Sequence, residues 1–318
     1  MHDQTPTQAC VQTQRRQKEK VGDYLALISL AALWGGSFLF MRVAAPEFGP
    51  AALMAGRVLI ASVLLLPLLL VKGGGSGIHA LRKRKHELFV LGVMNSALPF
   101  LLFAYAALSL TAGFSSILNA TSPLWGALIA WLWMKNNPNA QAVTGLCIGF
   151  FGVVILVASR ESFAAVGATL GVGACLLASC CYGISATYTK RFLAEVDSLT
   201  LAAGTQLASV IVLVPIALIL FPSTYPSLAA WIALLALGIA CTAIAYLLYF
   251  RLIRNLGATG ALTVTYLVPI FGMTWGVIFL QEEITYTMVV GTAVVFVGVG
   301  LTTGAVKSLK RSSPTPNT

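Results

Sequence analysis

Charge is what this sequence has least of. Only 9% of its 318 residues are Asp, Glu, Lys or Arg, while 58% are apolar. A soluble protein carries about 25% charged residues. The shortfall excludes a water-soluble enzyme with one core, a disordered chain and a disulfide-rich secreted domain. Acidic residues are the scarcer sign, ten against twenty basic ones, and none lies in the middle of an apolar run. The three histidines, His2, His79 and His86, also fall outside those runs. The runs therefore hold no His to serve a serine nucleophile, no paired Asp and no His-Glu-x-x-His, so the chain is not expected to be an enzyme. Of the six cysteines, Cys10 is in the N-terminal stretch, and Cys147, Cys175, Cys180, Cys181 and Cys241 lie inside apolar runs. There Cys behaves as a small hydrophobe. Their spacing resembles no metal site, and no cofactor or metal is expected.

What the sequence has instead is apolar runs of membrane-spanning length. Ten are predicted, at 23–43, 50–72, 87–107, 111–134, 141–159, 168–190, 198–221, 227–252, 257–280 and 287–306. The fold class is an all-α polytopic membrane protein with the lipid bilayer as its surroundings. The net charge of +10 invites a nucleic-acid reading, but that needs basic residues clustered on one exposed face. Here they sit in short connections, so no nucleic-acid partner is expected. Seventeen of the twenty fall on one side of the predicted spans, among them Arg82, Lys83, Arg84 and Lys85. Arg42 and Arg160 lie on the other side, and Arg57 lies inside the second span. By the positive-inside rule both termini are cytoplasmic.

The spans repeat. Near an offset of 148, Trp34-Gly35-Gly36-Ser37 aligns with Tyr182-Gly183-Ile184-Ser185, and Gly56 with Gly204. From the third span the offset is 146, pairing Gly92 with Gly238, Pro123 with Pro269, Gly126 with Gly272, Gly145 with Gly291 and Gly152 with Gly298. A Pro and several Gly at one constant offset are hard to obtain by chance from apolar composition. The expected organisation is an N-terminal tail (1–22), a first five-helix repeat (23–159), a short outer connector (160–167), a second repeat (168–306) and a C-terminal tail (307–318). Five is odd, so the second repeat enters the membrane upside down. Inverted repeats are a recurrent construction of secondary transporters, whose substrate site lies near the midplane.

The Trp34-Gly-x-Ser37 segment, Arg57 in the second span, the mid-span Pro123 and Pro269, and the Gln281-Glu282-Glu283 turn before Gly291 together resemble the EamA family of the drug/metabolite transporter superfamily. The resemblance covers about residues 22–306. It implies a ten-helix permease, mostly bacterial and in the inner (plasma) membrane, commonly exporting amino acids or related metabolites. The family often carries an acidic residue after the fourth span, where this chain has Lys135-Asn136-Asn137. No role is assigned to that loop.

Candidate site residues follow from what lipid does to polar groups: they point inward, towards a cavity or a neighbouring helix. Pro123 and Pro269 lie mid-span, free a carbonyl each, and are the expected hinges. Asn119 and Thr265 precede them by four residues on the same helix face, with Tyr266 beside Thr265. Asn95 stands four before Pro99. Trp34 and Ser37 form a stripe in the first span, repeated as Tyr182 and Ser185 in the sixth, and Thr242, Tyr246 and Tyr249 form another in the eighth. Substrate binding is expected from Trp34, Ser37, Arg57, Asn95, Asn119, Tyr182, Ser185, Tyr246, Thr265 and Tyr266. Arg57 is the only full charge well inside a span, and its repeat partner is Thr205, so folding does not require the charge in both halves.

The expected function is export of a small-molecule substrate, an amphipathic metabolite such as an amino acid, by alternating access. The alternatives are a multidrug exporter, a sugar-phosphate or nucleotide-sugar carrier needing more cations than one Arg, and a non-transporting assembly factor needing larger loops. A monomer is expected, with a homodimer through the fifth span, which carries the GxxxG segment Gly145–Gly149, and the tenth as the alternative.

Overall fold

The computed structural model describes residues 6–135, 138–158 and 167–304. The expected tail 307–318, Asn136, Asn137 and all of the expected connector 160–167 except Gly167 lie outside those residues. All regular structure among the described residues is helical. In chain order the helices are α1 (Pro6–Lys83), α2 (Lys85–Gly92), α3 (Leu98–Ala106), α4 (Ala112–Asn119), α5 (Ser122–Met134) and α6 (Ala140–Ala158). They continue with α7 (Ala168–Phe192), α8 (Ser198–Ile219), α9 (Leu228–Leu235), α10 (Ala245–Leu262), α11 (Val264–Leu280) and α12 (Tyr286–Thr303). Two π-helical segments interrupt this series, Val93–Ala97 between α2 and α3 and Ala236–Ile244 between α9 and α10. Several starts are closed as capping rules require: Thr111, Asp197, Ser227 and Thr285 each accept from the backbone N–H three residues on.

Among the described residues, eight helices are long and apolar enough to cross a membrane, where ten separate spans are expected from the sequence. Two local features account for the difference. The first eligible run, Val21–Lys83, is 63 residues long, far more than one crossing needs, and holds both of the first two predicted spans. It breaks at Gly49 (φ 72°, ψ 153°), a left-handed conformation that glycine adopts at little cost. The ninth predicted span appears as α11, which has 17 residues. The helix of α1 also begins at Pro6, so most of the expected tail 1–22 is helical.

The repeat is written into the backbone. Lys135 and Gln281, 146 positions apart, have φ of 53° and 55° and are the only non-glycine residues of positive φ among the described residues. Each stands directly after its helix, α5 or α11. The two π-helical segments also occupy corresponding positions.

The halves are interlocked. The first arm of α1 packs on α11, and α7 packs on α5. A Cβ built on Gly35 would lie 2.9 Å from the Gly272 nitrogen, and one on Gly183 would lie 2.6 Å from the Gly126 nitrogen. Gly35 pairs with Gly183 in the repeat and Gly126 with Gly272, so the same backbone-to-backbone contact is made twice, each time from one half to the other. Small residues permit this approach, which is how helices gain dispersion contact in lipid. The second arm of α1 packs on α8 and on the Ala236–Ile244 segment. The Gly145–Gly149 face is filled by α12: a Cβ on Gly145 would meet the Thr302 nitrogen at 2.6 Å. The face expected as an alternative dimer contact is therefore occupied within the chain.

Polar contacts join the halves at both ends. At one end Glu47 caps α9 from across the interface, accepting from the Ser227 N–H at 2.5 Å and the Ser227 hydroxyl at 2.8 Å. These hydrogen bonds hold the Glu47 carboxyl below its ordinary pKa. At the same end Glu282 accepts from the Ala112 and Gly113 N–H groups at the start of α4, at 2.8 and 3.2 Å. At the opposite, basic end Asp23 accepts from Arg251 Nε at 3.3 Å and Asn255 Nδ2 at 2.8 Å, and Arg84 pairs with Glu87 and Glu195.

The glycine contact makes a sharp prediction. Gly183→Leu should abolish the folded protein, because its neighbour is backbone and has nowhere to move. Gly173→Leu, ten residues away on the same helix, has nothing within 4 Å of a Cβ and should leave the protein intact. Gel filtration of the two variants in detergent distinguishes them, and a monodisperse Gly183→Leu peak would refute the contact.

Candidate functional site

The second arm of α1 carries Arg57 into the interior, where it is 5% exposed. Its Nε donates to the Thr242 hydroxyl at 2.9 Å, and its guanidinium carbon stands 3.8 Å from the centre of the Phe100 ring. Tyr182, Tyr246 and Cys241 lie within electrostatic reach of the charge. Among the described residues no carboxylate pairs with Arg57; the ion pairs there are at the basic end. A buried charge with a hydroxyl and a ring face but no counter-ion is expensive. A guanidinium presents a planar fork of donors that matches a carboxylate.

The π-helical segments shape this neighbourhood. Thr242, inside Ala236–Ile244, donates its hydroxyl to the Leu237 carbonyl five residues back at 2.7 Å, leaving its oxygen free to accept from Arg57. In the corresponding segment, Asn95 Nδ2 donates to the Tyr246 hydroxyl at 3.4 Å, and the Ser96 hydroxyl accepts from Gln206 Nε2 at 3.1 Å. The Tyr246 hydroxyl also interacts with Ser96 and Gln206. Single π turns inside α-helices recur at functional sites because they redirect side chains and loosen the backbone ladder. Here two of them, one from each half, turn Thr242 onto Arg57 and Asn95 and Ser96 onto Tyr246 and Gln206.

Of the residues expected from the sequence, Arg57, Asn95, Tyr182 and Tyr246 come together. Ser37 lies beside Cys241 and donates its hydroxyl to the Leu33 carbonyl at 3.5 Å. Trp34 packs on Tyr249 with ring centres 5.4 Å apart, and Tyr182 stacks on Phe103 at 6.1 Å. Ser185 returns its hydroxyl to the Cys181 carbonyl at 2.8 Å within its own helix. Tyr266 turns elsewhere, its hydroxyl 3.1 Å from that of Thr303 and its ring against Phe296. Thr265 is half-buried on α11, one turn before Pro269. Gln206, Ser96 and Phe100 are absent from the sequence-based set, and Thr242 appears there only as part of a stripe. Gln206 had a usable signal: it is the only glutamine well inside an apolar run, and intramembrane polar residues point to function by default.

The two hinge prolines differ. Pro123 stands in the first turn of α5, just after an interruption at Ala120 and Thr121. Proline has no N–H for the Asn119 carbonyl, and the Ser122 hydroxyl donates to it instead at 2.6 Å. The Leu118 carbonyl receives two hydroxyls, Thr121 at 2.6 Å and Ser179 at 3.0 Å. Pro269 is buried inside α11, which runs through it unbroken.

A cavity of about 550 Å³ lies apart from this cluster, lined by α1 around Gly36 and Phe40, by Ala229 and Ile232 of α9 and by Trp275 and Phe279 of α11. None of the expected site residues lines it, and its walls are almost wholly apolar.

Comparison with known proteins agrees with the duplicated architecture. The EamA-like transporter family is matched twice, over residues 21–158 and 169–304. The chain is similar to an uncharacterized transporter of Archaeoglobus fulgidus, 29% identical over 88% of this chain and 96% of the relative. It is also similar to a probable terminal-alkyne amino-acid exporter of Streptantibioticus cattleyicolor, 25% identical over 92% of this chain and 96% of that protein. A solved crystal structure of a protein superposes with a TM-score of 0.63 at 19% identity, over 91% of this chain and 99% of the other, a likeness of fold.

Replacing the hydroxyl that substitutes for the missing proline N–H should be felt. Ser122→Ala should destabilise the protein by about 1 kcal/mol, the net worth of a hydrogen bond to a half-buried carbonyl. A thermal midpoint in detergent equal to that of the parent would show that another group satisfies it.

Proposed function

The chain belongs to the EamA-like transporter family, and from that premise we propose that this multi-pass membrane protein exports small amphipathic metabolites, amino acids or related compounds, by alternating access. The observation that carries the reading is the buried, carboxylate-free Arg57 at the meeting of groups from both halves. Arg57 takes the substrate carboxylate. Asn95, Tyr182 and Tyr246 surround the remainder, and Trp34, Ser37, Asn119, Ser185 and Thr265 line the approach. Export is supported by the amino-acid exporter among the relatives. A single interior cation favours a carboxylate over a sugar phosphate, whose greater charge calls for several.

The proposed architecture has ten crossings. The two arms either side of Gly49 each cross once, and α11 is short but apolar. The halves, residues 23–159 and 168–306, have opposite orientations, and both termini face the cytoplasm, as the excess of basic residues at one end requires. Alternation is a rocking of one half on the other, absorbed at the Pro123 interruption and the two π-helical segments, with Pro269 the paired position in the second half.

Two outcomes test this. In proteoliposomes, Arg57→Leu should insert and purify normally yet transport carboxylate-bearing substrates at least about tenfold more slowly, the loss of one charge-assisted hydrogen bond being worth 1.5–3 kcal/mol. Unchanged rates would remove Arg57 from substrate binding. No Asp, Glu or His lies in the middle of a span, and proton-driven transport usually relies on such a group. Transport should therefore persist after the pH gradient is collapsed with an ionophore, and strict dependence on that gradient would overturn facilitated diffusion or exchange.

A further inference from the structure

Gln206 lies on α8 one position beyond Thr205, the repeat counterpart of Arg57. Its side chain is fully buried, at 0% exposure. Its Nε2 donates to Ser96, and the amide meets the Tyr246 hydroxyl. The Ser96 contact uses the nitrogen. The carbonyl oxygen, Oε1, is buried and has no hydrogen-bond partner. A buried acceptor left without a donor is destabilising by about 1–3 kcal/mol, and most such atoms in folded proteins are satisfied. The unpaired oxygen belongs to the same cluster as the unpaired charge of Arg57, joined to it through Tyr246, which senses both groups. The cluster thus offers one unanswered cation and one unanswered acceptor.

We propose that Gln206 is the specificity-determining residue for the substrate's amine, its Oε1 accepting an N–H from the ammonium while Arg57 holds the adjacent carboxylate. This assignment rests on the export function proposed above and adds to it a reason to prefer zwitterions over plain carboxylates. The ligand it selects has an N–H donor close to a carboxylate. A carboxylate without a donor would leave Oε1 as it stands in the empty site, unpaired and buried. A site built to hydrogen-bond a substrate group rejects analogues lacking it far more strongly than an apolar pocket rejects a missing methylene. Ser96 acts as a positioning residue, because its hydroxyl oxygen takes the amide nitrogen and leaves the carbonyl end free.

The experiment measures uptake of each of the twenty L-amino acids into proteoliposomes. For each amino acid that is transported, it also measures the desamino carboxylic acid and the N,N,N-trimethyl betaine. The betaine keeps the positive charge but has no N–H. Wild-type protein should favour the amino acid over both analogues by at least about tenfold, the discrimination that one charge-assisted hydrogen bond supplies. In Gln206→Met, which keeps the length of the side chain and loses the acceptor, that ratio should fall to near one. Because the ratio is taken within one preparation, differences in yield or folding cancel. Arg57→Leu should instead slow the amino acid and the desamino acid together. Retention of the full ratio in Gln206→Met overturns the assignment while leaving the export reading intact. So does a wild type that carries the betaine as well as the amino acid, a test that needs no variant. Failure of the wild type to carry any amino acid overturns the export reading and this assignment with it.

Discussion

The structure depends on helices approaching until their backbones touch. Lipid supplies no hydrophobic drive for helix association, so cohesion must come from close packing and from polar groups satisfied between helices. Gly35 against Gly272, Gly183 against Gly126 and Gly149 against Gly298 supply such approaches, and each crosses from one half to the other. Every later feature inherits that geometry. The first helix of each half is pinned to the fourth of its partner, which brings the second arm of α1 against α8 and the Ala236–Ile244 segment. There Arg57 meets Thr242, and Gln206 meets Ser96.

At that meeting point the usual accounting of a membrane interior is left open. Several hydroxyls elsewhere return to their own helix, as Ser185, Thr187 and Ser209 do, and the interruption before Pro123 is satisfied by Ser122, Thr121 and Ser179. Around Arg57 the two π-helical segments aim Asn95, Ser96 and Thr242 across the interface, Thr242 while still donating to its own helix. The result is a cluster whose charge and one amide oxygen remain unanswered while its neighbours are paired. The cavity near Phe40 and Trp275 has the opposite character, open space with almost no polar surface.

Much of this was legible from residue order. Apolar runs, the scarcity of acids and the 146-residue offset identify a duplicated helical membrane protein, and the backbone answers with matching positive φ at Lys135 and Gln281. Arg57 stood out because a charge in lipid demands a reason. Other features were less visible, each for a physical cause. π-helical turns have no composition of their own, so the redirection of Asn95 and Thr242 could not be seen in a regular helical projection. Tyr266 occupies the expected helix but turns to Thr303, because a one-residue change in facing moves a side chain by about 100° around the axis. Ser37 and Ser185, matched in the repeat, mostly serve their own helices.

Glu47 and Glu282 give the end of the molecule away from the basic residues a particular character. Each carboxylate closes the start of a helix that belongs to the other half, so the seam there is stitched by groups that water can replace. Hydrogen bonds between a carboxylate and peptide N–H groups exchange for bonds to water with little net change in free energy. The Glu47–Ser227 bonds already lie at the exposed surface, so breaking them would exchange a peptide partner for water at little net cost.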